Sequence, residues 1–291
     1  LIPTGNQLLS KRIERYLPEN WPSYYKKAKG CEVWDLNNNK YYDFAQMGVG
    51  SCVLGYANYS VNRAVKNAIN KGSMATLNSY EEVELAQKLA SLHPWADMAR
   101  FARTGGEACS IAVRVARAAS GKDKVAFCGY HGWHDWYISS NIEDNKNLNS
   151  QLLSGLKPNG VPKDLKGNSL PFMYNDIESL KKIIEDNDDI GVIIMEPQRT
   201  QELSIKFLQE VREIATKINA VLVFDEVTSG FRMNNGGIHL TFGVEPDMAI
   251  FGKALGNGFP ISAVIGKKSI MESAQTSFIS STFWTERIGF T

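Results

Sequence analysis

Several protein classes are excluded by what this sequence lacks. No apolar run approaches the roughly 18 residues that a membrane-spanning helix needs, and the strongest runs, 190–195 and 220–224, have the length of buried strands. Lysine plus arginine (32) nearly balances aspartate plus glutamate (31), so no net charge attracts nucleic acid or an anionic membrane. A hydrophobic content of 43% excludes a disordered chain. We expect a soluble globular protein with neither a nucleic-acid nor a membrane partner.

Cysteine and histidine are also scarce. The four cysteines lie far apart without a C-x-x-C pair, which argues against a disulfide framework and favours the reducing cytoplasm. Among the four histidines only His131 and His134 are close in sequence, with Asp135 as their one neighbouring acidic residue, so we predict no metal site. The chain does not begin with methionine and has no basic segment followed by an apolar one. We therefore expect no signal peptide and the loss of the first residues.

Strand-like and helix-like segments alternate from residue 123 onward. This alternation is typical of a parallel sheet covered by helices, so the predicted class is α/β, with functional loops at the carboxyl ends of the strands. The predicted strands are 124–128, 191–195, 220–224, 247–251 and 261–265, and the predicted helices are 180–185 and 203–218.

The first half of the chain is organised differently. Segments 31–35 and 40–44 flank a run of three asparagines, which predicts an antiparallel hairpin outside the main sheet. Helical spacing of apolar residues predicts further helices at 61–70, 82–92 and 107–119. The polar stretch 141–168 has little periodicity and predicts a long surface loop.

Two residues of the second half indicate a particular chemistry. Asp225 ends a buried strand, and Lys253 lies in a glycine-lined turn after the next one. A lysine in tight, partly apolar surroundings can act as a Schiff-base nucleophile, and a carboxylate can keep a heteroaromatic nitrogen protonated. Pyridoxal phosphate needs both groups, because its aldehyde is tethered to a lysine and its protonated ring accepts electrons. A surface lysine and a helix N-cap are the ordinary alternatives for each residue alone.

A phosphate cradle is the third requirement of this cofactor. Thr104, Gly105 and Gly106 stand where a helix begins, so backbone N–H groups and the helix dipole favour an anion there, and Thr104 adds a hydroxyl. A glycine pair before a helix is most often only a turn. Its combination with Asp225 and Lys253 makes the phosphate interpretation much stronger.

At this point the sequence resembles a known family. It is similar to the class III aminotransferases among the fold-type-I pyridoxal-phosphate enzymes, and most of all to glutamate-1-semialdehyde 2,1-aminomutase and its relatives. The resemblance covers nearly the whole chain and implies a mostly parallel sheet of seven-stranded type flanked by helices. It is carried by the segments 104–108, 130–132, 196–197, 225–232 and 252–260.

The resemblance also implies roles for individual residues. Lys253 would form the Schiff base and later move the substrate proton, and Asp225 would pair with the pyridine nitrogen. Tyr130 and Val227 would lie on the two faces of the ring. The remaining residues of the implied cofactor site are Thr104, Gly105, Gly106, His131, Glu196 and Thr282. Tyr130 and His131 could instead belong to the core, and Glu196 could only anchor a loop.

A homodimer is implied as well, because Thr282 matches a threonine that reaches the phosphate in a neighbouring subunit. By the same resemblance residues 1–50 contribute to a smaller α+β domain, residues 51–291 form the large cofactor-binding domain, and the C-terminal remainder of the small domain is absent. The sequence departs from the family after Thr282. It also departs after Glu196, where the family usually has a longer, glycine-containing loop.

The resulting prediction is amino-group transfer from a small-molecule amino donor to a carbonyl acceptor. The first alternative is intramolecular transfer on an amino aldehyde, as in the aminomutases, with 141–168 as a closing loop. The second is a truncated protein that binds the cofactor without turnover. A nicotinamide-binding module is rejected, because no G-x-G-x-x-G follows a strand.

Overall fold

Two separate sheets organise the chain. A computed structural model describes residues 1–17, 19–200 and 203–291. A three-stranded sheet lies in the N-terminal part, and a seven-stranded sheet forms the centre of the rest.

The small sheet contains the predicted hairpin. Its strands are β1 (Tyr25–Lys29), β2 (Glu32–Asp35) and β3 (Lys40–Tyr42), and both pairings are antiparallel. Asp35 closes the hairpin, since its Oδ1 accepts hydrogen bonds from the backbone of Asn37 and Asn39. The hairpin prediction is confirmed, but β1 was missed. Four of its five residues are exposed, so its sequence lacks the alternation of apolar and polar residues that predicts a strand.

The large sheet has the strand order β4-β10-β9-β8-β7-β5-β6. The five strands from β9 to β6 in this order are parallel, as the alternation of strands and helices predicted. In chain order the strands are β4 (Met98–Ala102), β5 (Lys124–Cys128), β6 (Ser169–Pro171), β7 (Ile190–Met195), β8 (Val221–Asp225), β9 (Met248–Phe251) and β10 (Ser262–Gly266). The sequence did not predict β4 and β6, which lie at the two edges.

The direction of β10 differs from the expectation that it continues the parallel series. It runs antiparallel to both β9 and β4. A parallel connection needs about a dozen residues or more, usually with a helix. Residues 252–261 are fewer than that and carry one short 3-10 helix, Lys253–Gly256, so the chain can only return beside β9.

Helices cover both faces of this sheet. They are α1 (Tyr59–Asn70), α2 (Glu81–Leu92), α3 (Gly105–Ser120), α4 (Asp135–Ile138), α5 (Ser140–Glu143), α6 (Ile177–Glu185), α7 (Ile205–Lys217), α8 (His239–Phe242) and α9 (Lys268–Met271). Successive residues of β5, β7 and β8 point to opposite faces; one set of apolar side chains packs against α3, and the other set packs against α6 and α7. No helix of the described residues is long and apolar enough to cross a membrane.

The stretch 141–168 is largely an exposed connection of turns, as its composition predicted, but three of its residues anchor it to the core. Leu148 is fully buried in the same core cluster as α3, and Gln151 and Asn141 are buried as well. The Gln151 amide accepts a hydrogen bond from the Gly129 backbone and donates one to the Phe172 carbonyl. The polar side chains of this stretch thus satisfy backbone groups that a buried loop would otherwise leave unpaired. Composition alone does not show which polar side chains are buried against backbone groups and which face solvent.

Truncating Leu148 tests this packing. We expect Leu148→Ala to lower the free energy of unfolding by about 2–5 kcal/mol, because it leaves a cavity in a closed core. Leu36→Ala serves as the control, since Leu36 is 63% exposed. Urea denaturation followed by circular dichroism measures both. Equal, small losses in the two variants would show that the stretch is loosely attached.

Candidate functional site

The candidate site lies at the carboxyl edge of the parallel strands. Asp225 is the last residue of β8, and Lys253 follows β9 by two residues. β8 and β9 are hydrogen-bonded neighbours, with Asp225 opposite Ile250. Glu196 directly follows β7, and Tyr130 follows β5 after one glycine. Adjacent parallel strands thus deliver these side chains to one edge, where α/β sheets bind their ligands.

Asp225 is buried and held from both sides. His131 Nδ1 and Cys109 Sγ lie 2.8 Å and 3.2 Å from its Oδ2, and the Val227 backbone donates to its Oδ1 at 3.0 Å. Burial, and then the nearby Asp225 charge, raises the pKa of the Cys109 thiol, so the thiol keeps its proton and donates it. The Asp225 carboxylate is therefore fixed in position before any ligand arrives.

Lys253 combines an unusual backbone conformation with a partly buried amine. Its φ of 42° lies in the left-handed region, which costs energy for a residue with a side chain. Its Nζ donates to Thr228 Oγ1 at 3.0 Å. Burial lowers the pKa of Lys253, and the charges of Glu196 and Asp225 only partly oppose this effect. The neutral, nucleophilic amine is thus available at lower pH than for an exposed lysine.

Glu196 links Lys253 to the rest of the site. Its Oε1 accepts from Thr228 Oγ1 at 3.2 Å, so Thr228 connects the lysine and the carboxylate. Its Oε2 accepts from the Tyr130 backbone at 2.9 Å and from Arg199 Nη1 at 3.1 Å. Burial raises the pKa of Glu196, and the Asp225 charge adds to this while Arg199 opposes it.

The hydroxyl of Thr228 should tune the amine of Lys253. Thr228→Val keeps the shape of the side chain but removes the acceptor for Nζ. We expect the pKa of Lys253 to fall further, because a hydrogen bond to the charged form is lost. The reaction of Lys253 with an amine-specific reagent in cofactor-free protein, followed against pH by peptide mass spectrometry, measures this. A midpoint that stays in place or moves to higher pH would contradict it.

Gly105 and Gly106, the first two residues of α3, lie close to neighbouring side chains. A Cβ on Gly105 would lie 3.0 Å from Val227 Cγ1, and one on Gly106 would lie 3.0 Å from the His134 ring. The Thr104 hydroxyl forms a capping box with Glu107, since it accepts from the Glu107 backbone at 3.3 Å and donates to its carboxylate at 3.1 Å. Thr104 therefore serves the start of the helix, while the backbone N–H groups of the two glycines point out of its first turn.

Tyr130 and Val227 are half-buried and pack against the same core cluster. Thr282, by contrast, is exposed. Its segment is attached beside the start of α3, because Arg103 donates to backbone carbonyls of residues 283, 284 and 286 and Trp284 Nε1 donates to Glu107 Oε1 at 3.1 Å. The structure therefore brings Asp225, His131, Lys253 and Glu196 together at one edge of the sheet, and leaves Thr282 exposed.

Several side chains of this site gave no signal in the sequence. Cys109 is one turn into α3, and Thr228 stands inside the segment 225–232, which was singled out for its other residues. Arg199 follows Glu196 by three residues and had no signal beyond its charge. Arg232, the last residue of the segment 225–232, donates to the Gly50 carbonyl. Their roles depend on which strand ends meet, and sequence order does not give that directly.

A cavity of about 840 Å³ lies elsewhere, at the amino ends of the strands beside Val221 and Asp247. Because ligands of such sheets bind at the carboxyl ends, this cavity is not the candidate site.

The residues present fit pyridoxal phosphate. Asp225 is a buried, pre-oriented carboxylate, and Lys253 is a partly buried amine with a lowered pKa. Gly105 and Gly106 are the first residues of α3, and the backbone N–H groups of a first helical turn suit an anion. Next to Gly106, His134 Nδ1 is buried with no hydrogen-bond partner within the described ranges, so it has a free polar atom for a bound group.

Comparison with known proteins agrees with this geometry. The family model for class-III aminotransferases matches residues 17–289. The chain is 37% identical over 298 residues to 3-aminobutyryl-CoA aminotransferase of Cloacimonas acidaminovorans, covering 99% of this chain and 67% of that protein. It is also 37% identical to glutamate-1-semialdehyde 2,1-aminomutase of Methanococcoides burtonii, covering 95% and 65%. Among curated relatives of this kind the chain spans between 59% and 67% of their length.

Solved structures show the same fold. The PLP internal aldimine form of the FumI protein of Sphingopyxis sp. MTA144 superposes with a TM-score of 0.87 at 26% identity, over 100% of this chain and 67% of that one. An omega-transaminase of Sphaerobacter thermophilus superposes with a TM-score of 0.82 at 24% identity, over 96% and 69%. The predictions of a fold-type-I architecture and of a pyridoxal-phosphate family are confirmed. From the family match and these relatives together, the chain belongs to the class-III aminotransferase family.

Proposed function

We propose that this chain binds pyridoxal phosphate and transfers an amino group from a small-molecule amine to a carbonyl acceptor. The observation that carries this proposal is the meeting of Asp225 and Lys253 at the ends of adjacent parallel strands. The lowered pKa of Lys253 supports it, because a neutral amine is needed to bind an aldehyde covalently.

Each residue of the site has a task in this proposal. Lys253 Nζ would hold the cofactor, and the same amine would move the proton at the substrate carbon. Asp225 would keep the cofactor ring protonated, and His131 and Cys109 hold that carboxylate in place. When bound, pyridoxal phosphate supplies an electron-accepting ring.

Further residues would hold the cofactor without taking part in proton transfer. The backbone of Gly105 and Gly106 would bind its phosphate at the start of α3, and Tyr130 and Val227 would flank its ring. Thr104 would act through the cap of that helix, and Glu196 through Thr228.

We also propose a homodimer in which Thr282 reaches the phosphate in the partner subunit. The exposure of Thr282 and of the neighbouring Phe283 supports a contact of this kind. Residues 1–50 would belong to a smaller domain and residues 51–291 to the large one, which agrees with the separate hydrogen bonding of the small sheet. The free thiols support a cytoplasmic location.

An aminomutase is the second candidate, because several 37%-identical relatives are glutamate-1-semialdehyde 2,1-aminomutases. The closing loop expected at 141–168 adds no support, since Leu148 and Gln151 anchor that stretch to the core. A protein that binds the cofactor without turnover is the third candidate, because the chain spans at most about two thirds of the curated relatives named above.

One experiment separates the three candidates. The cofactor-loaded protein is incubated with amine donors, then with carbonyl acceptors, and separately with an amino aldehyde alone. Conversion of the cofactor by amines and its recovery by a separate acceptor is the expected result. Isomerisation of the amino aldehyde without exchange with added amines would instead identify an aminomutase. A cofactor absorbance band that no amine changes would favour the non-catalytic protein.

A further inference from the structure

Arg199 stands beside the reacting groups of the site. Its Nη1 lies 3.1 Å from Glu196 Oε2, and its Cζ lies 5.7 Å from the centre of the Tyr130 ring. It also acts electrostatically on Lys253, because its positive charge lowers the pKa of that amine. The guanidinium thus lies within the site, close to both Glu196 and Tyr130.

The guanidinium also has donors to spare. Its hydrogen bonds within the described residues use one nitrogen, Nη1, toward Glu196 and the Gln151 carbonyl. The side chain is 27% exposed, while that of Glu196 is 1% exposed. A guanidinium carries five N–H donors in a planar fork that matches a carboxylate. The free edge is therefore accessible to a ligand.

The positive charge of Arg199 favours an anionic ligand. Arg199 pairs directly with Glu196, while the other carboxylate of the site, Asp225, is held by His131 and Cys109. Arg232 adds a second positive charge that, like that of Arg199, acts on Lys253. In a partly buried site a guanidinium attracts an acidic group more strongly than it would in water.

We propose that Arg199 binds a carboxylate of the substrate and so selects amines that carry an acidic group over neutral amines. This inference rests on the proposed transaminase function. The alternative is that Arg199 only neutralises Glu196. In that case its removal changes the reaction of every amine alike.

The ratio of kcat/KM for an acidic amine to kcat/KM for a neutral amine distinguishes these roles. We compare kcat/KM for 3-aminobutanoate and for its neutral counterpart, 3-aminobutanamide, in the cofactor-loaded protein and in Arg199→Met. We expect the preference for the acid to fall about 10–100-fold, as for the loss of a hydrogen bond to a charged group. Arg199→Lys should restore part of it, because it keeps the charge but not the fork. An unchanged ratio, however low both activities are, would overturn the proposal.

Ligand binding provides a second readout that does not depend on turnover. Isothermal titration calorimetry with butanoate should show about 10–100-fold weaker binding in Arg199→Met, while binding of butanamide stays the same. Arg212→Met is the matched control, since Arg212 also pairs with a carboxylate through Nη1, at 2.8 Å, with a side chain 22% exposed. It lies at the amino ends of the strands and should leave butanoate binding unchanged.

The same experiments separate the failure of this inference from that of the proposed function. If the protein takes up no cofactor on Lys253 or converts no amine, the transaminase proposal fails, and calorimetry alone then decides about Arg199. If the wild-type protein transaminates and butanoate binds equally well to Arg199→Met, only the role of Arg199 is wrong.

Discussion

Lys253→Ala should abolish covalent binding of pyridoxal phosphate and slow amino transfer by at least about 10³-fold, because both the nucleophile and the proton-transferring base are lost. The structure supports this expectation through the burial of the amine and its contact with Thr228. The measurements are the visible absorbance band of the cofactor and the rate of conversion by an amine.

Lys267→Ala is the matched control for this variant. Lys267 follows β10 and pairs with Asp247 at 2.8 Å, at the edge of the sheet opposite the site. The control should keep the absorbance band and the rate. A Lys253→Ala protein that retains a covalent cofactor and normal turnover would show that another lysine does the chemistry.

Asp225→Asn should slow the reaction with amines by about 10²–10³-fold while leaving a covalent cofactor in place. The reason is that an amide cannot hold a proton at the ring nitrogen by charge, and buried electrostatic contacts of this kind contribute factors of that size. His131 and Cys109 then face an amide in place of a carboxylate, so cofactor affinity should fall as well. Single-turnover absorbance kinetics and equilibrium dialysis measure the two effects.

Asp247→Asn shows whether the loss is specific. Asp247 is also partly buried, with lysine and arginine partners at 2.8 Å. Burial favours a higher pKa for its carboxyl group, but hydrogen bonds from those partners and from the Leu222 backbone outweigh burial and lower the pKa. Removing its charge should reduce stability and leave the amine reaction unchanged. If the Asp225→Asn and Asp247→Asn proteins react equally fast, the role assigned to Asp225 is wrong.

The central strands are recognisable in the sequence because they are buried on both faces and appear as continuous apolar runs. β7 and β8 are examples, since all of their residues are buried. β4 and β6 are edge strands with mixed burial, and their pattern does not stand out from that of loops. The antiparallel direction of β10 follows from the short connection before it. Hydrophobic periodicity identifies a strand but gives no information about its direction.

The same contrast holds within the site. Asp225 and Lys253 were predictable because their combined chemistry is rare and each lies at or just after the end of a fully buried strand. The connection from Lys253 through Thr228 and Glu196 to Arg199 was not, because it joins residues from three separate segments. The hydroxyl of Thr104 was ambiguous, since a helix cap and a phosphate ligand have the same sequence signal, and the structure shows the cap.

The proposed function depends above all on Lys253 as the residue that holds pyridoxal phosphate. Reduction of the cofactor-loaded protein with borohydride, followed by peptide mapping, identifies the lysine that carries the cofactor. We expect one labelled peptide, with the cofactor on Lys253. Label on another lysine, or spread over surface lysines at the level seen with Lys253→Ala, would contradict this assignment.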